Sequence, residues 1–181
     1  MSTIKTNQIQ TTAGKPILNS TGSILQVAQV VKTDAFSTDS DSMVDVPGLS
    51  VSITPSSANN KILVIADIHA GTNYYVGFIN VVRNSTTLLL GDAAGSRPRS
   101  TIVVIEDPTM GGTHGWSANF NRMILDSPAT TSSVTYKIQA SGRIDNDSNG
   151  AIFINRTAPD RNTIGYDVRM ASSLTVMEVS G

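Results

Sequence analysis

Apolar and polar residues alternate along most of the chain after residue 22. The alternation is clear in LSVSIT, KILVIADIHA and SVTYKIQAS, and it returns in GAIFINR and SSLTVMEVSG. A period of two, with β-branched and aromatic side chains, is typical of a strand with one buried face. No window of twelve residues shows a convincing period of 3.6. The nearest one, WSANFNRMIL at 116–125, fits a strand equally well. The pattern therefore predicts an all-β protein.

Clusters of turn-forming residues separate the predicted strands. Each cluster combines Pro, Gly, Asn, Asp or Ser in ways that favour turns. They are TPSSANN, GDAAGSRPRS, DPTMGGTHG, DSPATTSS and DNDSNG. Short strands at this spacing indicate an antiparallel β-sandwich of the jelly-roll type, because alternating strands and helices would need longer crossover segments. We expect residues 23–181 to form this sandwich as a head domain.

Residues 1–22 follow a different pattern. Their apolar residues are isolated among Thr, Asn, Gln and Gly, so the segment buries too little apolar area to fold alone. We expect an extended N-terminal attachment arm that becomes ordered against a partner or a neighbouring subunit. Its contact residues are predicted to be Ile4, Ile9, Lys15, Ile17 and Leu18.

Composition excludes several classes of protein. The 181 residues include 13 basic and 14 acidic ones, so a basic surface for nucleic acid or membrane binding is not expected. Charged residues make up 15% of the chain, below the roughly 25% of ordinary domains, and 55 Ser, Thr and Asn residues replace them. Because there is no cysteine, disulfides, thiolate catalysis and cysteine-ligated metals are excluded.

The chain lacks a segment that would direct it into a membrane. Its apolar stretches are strand-sized, well short of the roughly 18 residues needed to span a bilayer. The start, MSTIKTNQIQ, has no apolar core of a secretory signal. We expect synthesis in a host cytoplasm, no membrane insertion, and release by another route such as lysis.

The segment DNDSNG is the strongest short motif. Asp145, Asp147 and Asn149, with Gly150, match the first half of a calcium-binding loop, in which alternate oxygens converge on the ion. Arg156, however, occupies the position of the bidentate glutamate, and the pattern predicts no flanking helices. The alternatives are a polar hairpin turn, which we favour, and a cation site built in another way.

Catalytic patterns are missing from the sequence. His69 and His114 lie far apart, and the HExxH and GxSxG motifs are absent. Glu occurs only at positions 106 and 178, and most Asp residues lie in turn clusters, where they usually cap their own backbone. We therefore expect neither an enzyme nor a resident cofactor or metal.

Two segments could recognise another molecule. In PTMGGTHGW, His114 and Trp116 lie near glycines, and a Trp ring there could stack on a sugar or fill a partner's pocket. Alternatively, Trp116 begins a strand and buries its ring. Tyr74 and Tyr75, which follow GTN, are a weaker candidate of the same kind.

Several stretches, taken in order, resemble the tail-fibre and virion structural proteins of marine tailed bacteriophages, including cyanophages. They are TNQIQTTAGKPILNSTGSILQV, VDVPGLSVSITPSSANNKILV, GDAAGSR, LDSPATTSSVTYKIQ, FINR and LTVMEVSG. The resemblance covers nearly the whole chain and is weakest at about 106–120. It implies a non-enzymatic component on the outside of a virion, with other tail or fibre proteins and a host-surface glycan or protein as partners.

The resemblance also implies a homotrimer. The closing strand agrees with subunit contact, since Leu174 and Val176 have one parity while Met177 and Val179 have the other. That pattern fits a strand buried on both faces, one of them at a subunit interface.

Three functions remain open at this point. The first is a trimeric tail-fibre component that attaches by residues 1–22 and presents loops for host binding. The second is a capsid decoration or head-fibre protein without receptor-binding activity. The third, a polysaccharide depolymerase, needs two carboxylates facing a groove.

Overall fold

Alternating segments of this sequence form strands, because neighbouring side chains on a strand point to opposite faces of the sheet. The computed structural model describes residues 21–73, 76–105, 117–142, 150–162 and 167–181. The strands in these ranges are β1 (Ile24–Lys32), β2 (Phe36–Thr38), β3 (Val44–Ile53), β4 (Lys61–Thr72), β5 (Val76–Arg83), β6 (Thr86–Thr87), β7 (Ile102–Ile105), β8 (Ala118–Asp126), β9 (Val134–Ser141), β10 (Ile152–Ile154) and β11 (Ser172–Val179). Within the same ranges, no helix is long and apolar enough to cross a membrane.

The first sheet is built around β4, its longest strand. Strand β8 pairs with one edge of β4, β11 pairs with the other, and β1 lies beyond β11, all of them antiparallel. The short strands β10 and β2 extend the sheet beside the last residues of β4. Of the four long strands, β8 and β1 are therefore outermost.

The second sheet has the order β3–β9–β5, with β6 and β7 along the far edge of β5. A register shift interrupts the pairing of β3 with β9 between Asp45 and Ser50. Gly48 lies in this interruption with a φ of 82°, a left-handed conformation that glycine adopts without steric cost.

The connectivity is that of a jelly roll. Eight principal strands divide into the sheets β8–β4–β11–β1 and β3–β9–β5–β7, and each connection between consecutive principal strands crosses from one sheet to the other except β5–β7. Two four-stranded antiparallel sheets linked in this order are the defining arrangement of the fold. The prediction of an antiparallel β-sandwich of jelly-roll type is confirmed.

The core fills the space between the two sheets. One parity of β4, formed by Ile62, Val64, Ala66 and Ile68, is fully buried there, as the alternation in KILVIADIHA predicts. Inward side chains of the second sheet complete the same cluster. They include Leu49, Val51, Ile53, Ile79, Val81, Tyr136 and Ile138. The sequence WSANFNRMIL also contributes a strand, β8, whose Phe120 and Ile124 pack against this core.

Strand β1 departs from the usual arrangement, in which the more apolar parity faces the core. Its inward residues at the centre are Ala28 and Val30, whereas Val27 and Val31 point outward and remain 56% exposed. The more apolar parity of β1 is thus the outer one, and the outside of this sheet carries large apolar side chains.

A buried asparagine fixes the segment between β10 and β11. Asn155 is fully buried, has a φ of 63°, and donates through Nδ2 to the backbone carbonyls of Lys32 (2.8 Å) and Asp34 (3.0 Å). Its Oδ1 accepts a hydrogen bond of 2.6 Å from Ser172, whose hydroxyl in turn accepts the backbone N–H of His69. Asparagine tolerates the left-handed region better than most residues, and here its amide also ties three strands together.

Candidate functional site

One end of the sandwich collects four connections, and we call it the loop end. Strands β4, β7 and β9 finish there, β5, β8 and β10 begin there, and the segment from β1 to β3 passes over it. Asn73 accepts the backbone N–H of Ala151 at 2.7 Å, so the connections after β4 and after β9 lie against each other. Likewise, Gly142 donates to the carbonyl of Ser40 at 2.9 Å.

The candidate recognition residues from the sequence belong to three of these connections. They are Tyr74 and Tyr75 after β4, His114 and Trp116 after β7, and Asp145, Asp147 and Asn149 after β9. All seven lie outside the described residues, so their arrangement stays a prediction. The described residues on either side of each connection place all three connections at the same end of the molecule.

Close packing at the loop end requires a glycine. A Cβ atom at Gly142 would collide with the carbonyl oxygen of Gly150, since the two backbones cross there in van der Waals contact. A larger residue at position 142 would therefore push apart the two ends of the connection after β9.

A small apolar depression lies between the first and second sheets at the loop end. It is lined by residues 70–72 of β4, Val104 and Ile105 of β7, and Ser117, Ala118 and Phe120 around the start of β8. Its volume of about 30 Å³ has room for roughly one water molecule. The depression alone is too small to enclose a sugar ring.

Near the loop end, the outer face of the first sheet is polar. The amide of Asn119 on β8 donates to the carboxylate of Asp67 and lies 3.2 Å from Nε2 of His69, both on β4. His69 is a partly buried residue of β4. The three side chains offer an exposed group of donors and acceptors that suits hydrogen bonding to hydroxyls.

At the opposite end of the sandwich, β1 begins and β11 finishes. The N–H of Gly22 donates to the carbonyl of Ser180 at 2.8 Å, and the N–H of Ser180 donates to the carbonyl of Ser23 at 2.9 Å. The first described residue, Thr21, thus enters the sandwich at the end remote from the loop end. The predicted arm contacts, Ile4, Ile9, Lys15, Ile17 and Leu18, lie outside the described residues.

Glu178 is a buried carboxylate at this opposite end, with 1% of its surface exposed. Its Oε1 accepts hydrogen bonds from Asn60 Nδ2 (2.6 Å) and from both the N–H (2.6 Å) and the hydroxyl (2.8 Å) of Ser56. Its Oε2 accepts one of 2.6 Å from Gln26. One side chain of β11 thereby joins β1 to the connection between β3 and β4.

The Glu178 cluster is expected to make stability depend on pH. Burial raises the pKa of the Glu178 carboxyl, but the hydrogen bonds from Asn60, Gln26 and Ser56 outweigh this effect and hold the pKa below its ordinary value. A group with a lowered pKa in the folded state stabilises the protein fully above its unfolded pKa, about 4.3, and loses that contribution as pH falls through the folded value. Urea unfolding between pH 3 and pH 7 should show this loss, and Glu178→Gln should weaken the pH dependence. An unchanged dependence in the variant would contradict the assignment.

A second, partly buried cluster joins the two sheets at the same end. Asp126, the last residue of β8, accepts a hydrogen bond of 2.7 Å from the hydroxyl of Tyr136 on β9. Nη1 of Arg83, at the end of β5, lies 2.7 and 2.8 Å from the two carboxylate oxygens. Burial and the neighbouring carboxylate raise the pKa of Tyr136 well above its ordinary value, so its hydroxyl stays protonated as a donor.

These carboxylates have structural partners inside the fold. Asp126 and Glu178 both lie opposite Ile62 in the register of the first sheet, one on each side of β4, and both point into the sandwich. The described part of the chain contains no group of three or more His, Asp or Glu side chains that could hold a metal ion.

The segment between β10 and β11 carries three arginines that pair with its own aspartates. Arg169 lies 2.6 Å from Asp160, and Arg161 lies 3.0 Å from Asp167. The guanidinium of Arg156 lies 4.2 Å above the ring of Phe153. An anionic ligand at this segment would have to compete with these internal ion pairs.

Comparison with protein-family models gave no match to this chain, and a search of curated proteins gave no significant match either.

Proposed function

We propose that this protein is a structural component of a tailed-bacteriophage virion, most specifically a homotrimeric tail-fibre component. It attaches through its N-terminal arm and presents the loop end to the host surface. The motifs from TNQIQTTAGKPILNSTG to LTVMEVSG suggest the protein class, and the jelly-roll fold is one that viral capsid and lectin domains use.

The observation that carries the proposal is the separation of the two ends. The described chain starts beside Ser180, while the connections that contain the candidate recognition residues leave the sandwich at the loop end. Strand β4 has 12 residues at roughly 3.3 Å each, so the two ends of the sandwich lie about 40 Å apart. An anchor at one end and a binding surface at the other is the arrangement that a fibre tip requires.

Surface chemistry supports binding to host glycans. Exposed hydroxyls can hydrogen-bond sugar hydroxyls without attracting every nearby anion, and so can exposed amides such as those of Asn119 and Asn121. Individual contacts of this kind are weak. Three copies in a fibre and several fibres on a particle would multiply them through avidity.

The proposed role is non-enzymatic, without cofactor or metal. A depolymerase would need a carboxylate pair that faces a groove, and the partly buried Asp126 and the buried Glu178 are instead engaged within the sandwich. The loop end supplies a binding surface, and the arm supplies attachment to a tail or fibre protein by strand addition or by threading along it.

Deletion of residues 1–22 tests the arm. We expect the remaining chain to fold and trimerise, with a melting temperature close to that of the full chain because, among the described residues, only the hydrogen bond between Gly22 and Ser180 is lost, but to be missing from assembled particles. The matched control is the full chain with Trp116→Ala, which should enter the particle normally and reduce adsorption to the host. A deletion variant that enters particles at the normal level would refute the arm assignment.

The location of the protein on the particle tests the class. An epitope tag at the C-terminus, detected by immunogold electron microscopy, should appear on the tail. Label on the capsid facets would overturn the tail-fibre proposal in favour of a decoration or head-fibre protein.

A further inference from the structure

The outer face of the first sheet carries an extended apolar surface. In one register row, Leu125 of β8, Leu63 of β4, Met177 of β11 and Val27 of β1 lie side by side. Flanking rows add four more large apolar side chains. We call the resulting set the outer apolar face; its members are Ile24, Val27, Leu63, Ile65, Met123, Leu125, Met177 and Val179.

Much of this face is open to solvent. Ile24, Val27, Met123 and Leu125 are each 54–62% exposed. Together with the half-buried members between them, they present on the order of 500 Å² of contiguous apolar surface, near the upper limit for a monomer. A standard interface buries about 800 Å² on each partner, so the outer apolar face provides most of one.

The outer side of β3 and β9 in the second sheet differs from this surface. There, Asp45 accepts hydrogen bonds from Lys137 and Gln139, each at 2.8 Å, and Ser52 pairs with Thr135 at 2.8 Å. Polar cross-strand pairs of this kind suit a face in contact with water. On β3 and β9 the outer side thus has the chemistry of a solvated surface, whereas β7 exposes Val103 and Ile105 and the first sheet exposes apolar side chains on both β1 and β8.

We infer that the outer apolar face is the contact between copies of this chain. The register rows through Leu63 and Ile65 hold no charged side chain, and they include two methionines. The buried centres of protein interfaces are likewise poor in charged residues and enriched in methionine. The surface is one face of a sheet four long strands wide, so a second sheet face of the same chain covers it better than a narrow segment does.

Residues 1–20 are a poorer occupant. They contain four branched aliphatic residues, Ile4, Ile9, Ile17 and Leu18, spread among polar ones, against eight large apolar side chains on the face. The inference does not depend on the virion role, because it rests on the surface of the folded sandwich.

Sedimentation of the full chain with single substitutions tests the inference. The wild-type protein should sediment at a multiple of the 19.1 kDa chain mass. Val27→Glu on β1 and Met123→Glu on β8 should each weaken self-association by about 100-fold or more, because a buried unpaired carboxylate is costly. Both positions are more than half exposed in the single chain, so the monomer should keep its melting temperature and circular dichroism spectrum.

The matched control is Val103→Glu, an exposed apolar position on the outer side of the second sheet, which should leave the oligomer unchanged.

A monomeric wild type, or variants that associate as strongly as wild type, would overturn the inference. A dimer would support the interface and contradict the trimer of the proposed function. If sedimentation shows a trimer and the immunogold label lies on the capsid, the interface is supported and the tail location is contradicted.

Discussion

Replacing Glu178 with alanine is expected to lower the free energy of unfolding by about 3–4 kcal/mol. The carboxylate accepts four hydrogen bonds, and its removal leaves the amides of Gln26 and Asn60 and the backbone N–H of Ser56 without their buried acceptor. For a chain of this size the loss corresponds to a fall of roughly 10 °C in melting temperature. The connection between β3 and β4 should also exchange its amide protons faster.

Glu178→Gln tests whether the side chain stabilises the protein through its volume or through its capacity to accept hydrogen bonds. The glutamine fills the same space, but its NH₂ group faces donors, so we expect a loss of stability smaller than that of alanine but still measurable. Asp92→Ala, at an exposed acidic position, should change stability by less than about 0.5 kcal/mol. Equal stability of the Glu178→Ala and Asp92→Ala proteins in urea titrations would show that the cluster contributes nothing.

Asp126→Ala is expected to cost about 3 kcal/mol, the second largest effect. The change leaves the fully buried Tyr136 hydroxyl without its acceptor and removes the carboxylate that pairs with Arg83, whose side chain is 23% exposed. Because Tyr136 belongs to one sheet and Asp126 to the other, the loss should loosen the contact between the sheets. Near-ultraviolet circular dichroism and thermal unfolding measure both effects.

Tyr136→Phe provides the control for Asp126. It removes the hydroxyl but keeps the ring in the core and leaves the Arg83–Asp126 pair intact, so it should cost about 1 kcal/mol. In the double variant, the two losses should be less than additive, since both remove the same hydrogen bond. Strict additivity would mean that the hydroxyl and the carboxylate do not interact.

Much of the fold could be predicted from local pattern. Period two identifies the strands because a half-buried sheet imposes it directly, and the inward parity of β4 follows from Ile62, Val64, Ala66 and Ile68. Even the ambiguous segment 116–125 yields β8. The class of sandwich followed from strand length and turn spacing.

The polar clusters between the strands could not be predicted in the same way. Arg83 and Asp126 are 43 residues apart, and nothing near either one indicates that they meet. Glu178 did leave a signal, since it shares parity with the buried Leu174 and Val176, and an acidic residue on an inward parity needs dedicated partners. In β1, the parity of Val27 and Val31 suggests a core face, whereas only the pairing with β11 reveals that it points outward.

The outer apolar face also bears on how self-association should respond to salt. At the ionic strength of seawater the Debye length is only roughly 4 Å, so attraction between exposed charges on separate chains is largely screened. Contact between apolar surfaces does not weaken with salt, and sulfate strengthens it. The self-association of chains joined through Leu63, Met123 and Met177 should therefore persist at low and at high salt. It should weaken on cooling, because hydrophobic stabilisation weakens on cooling.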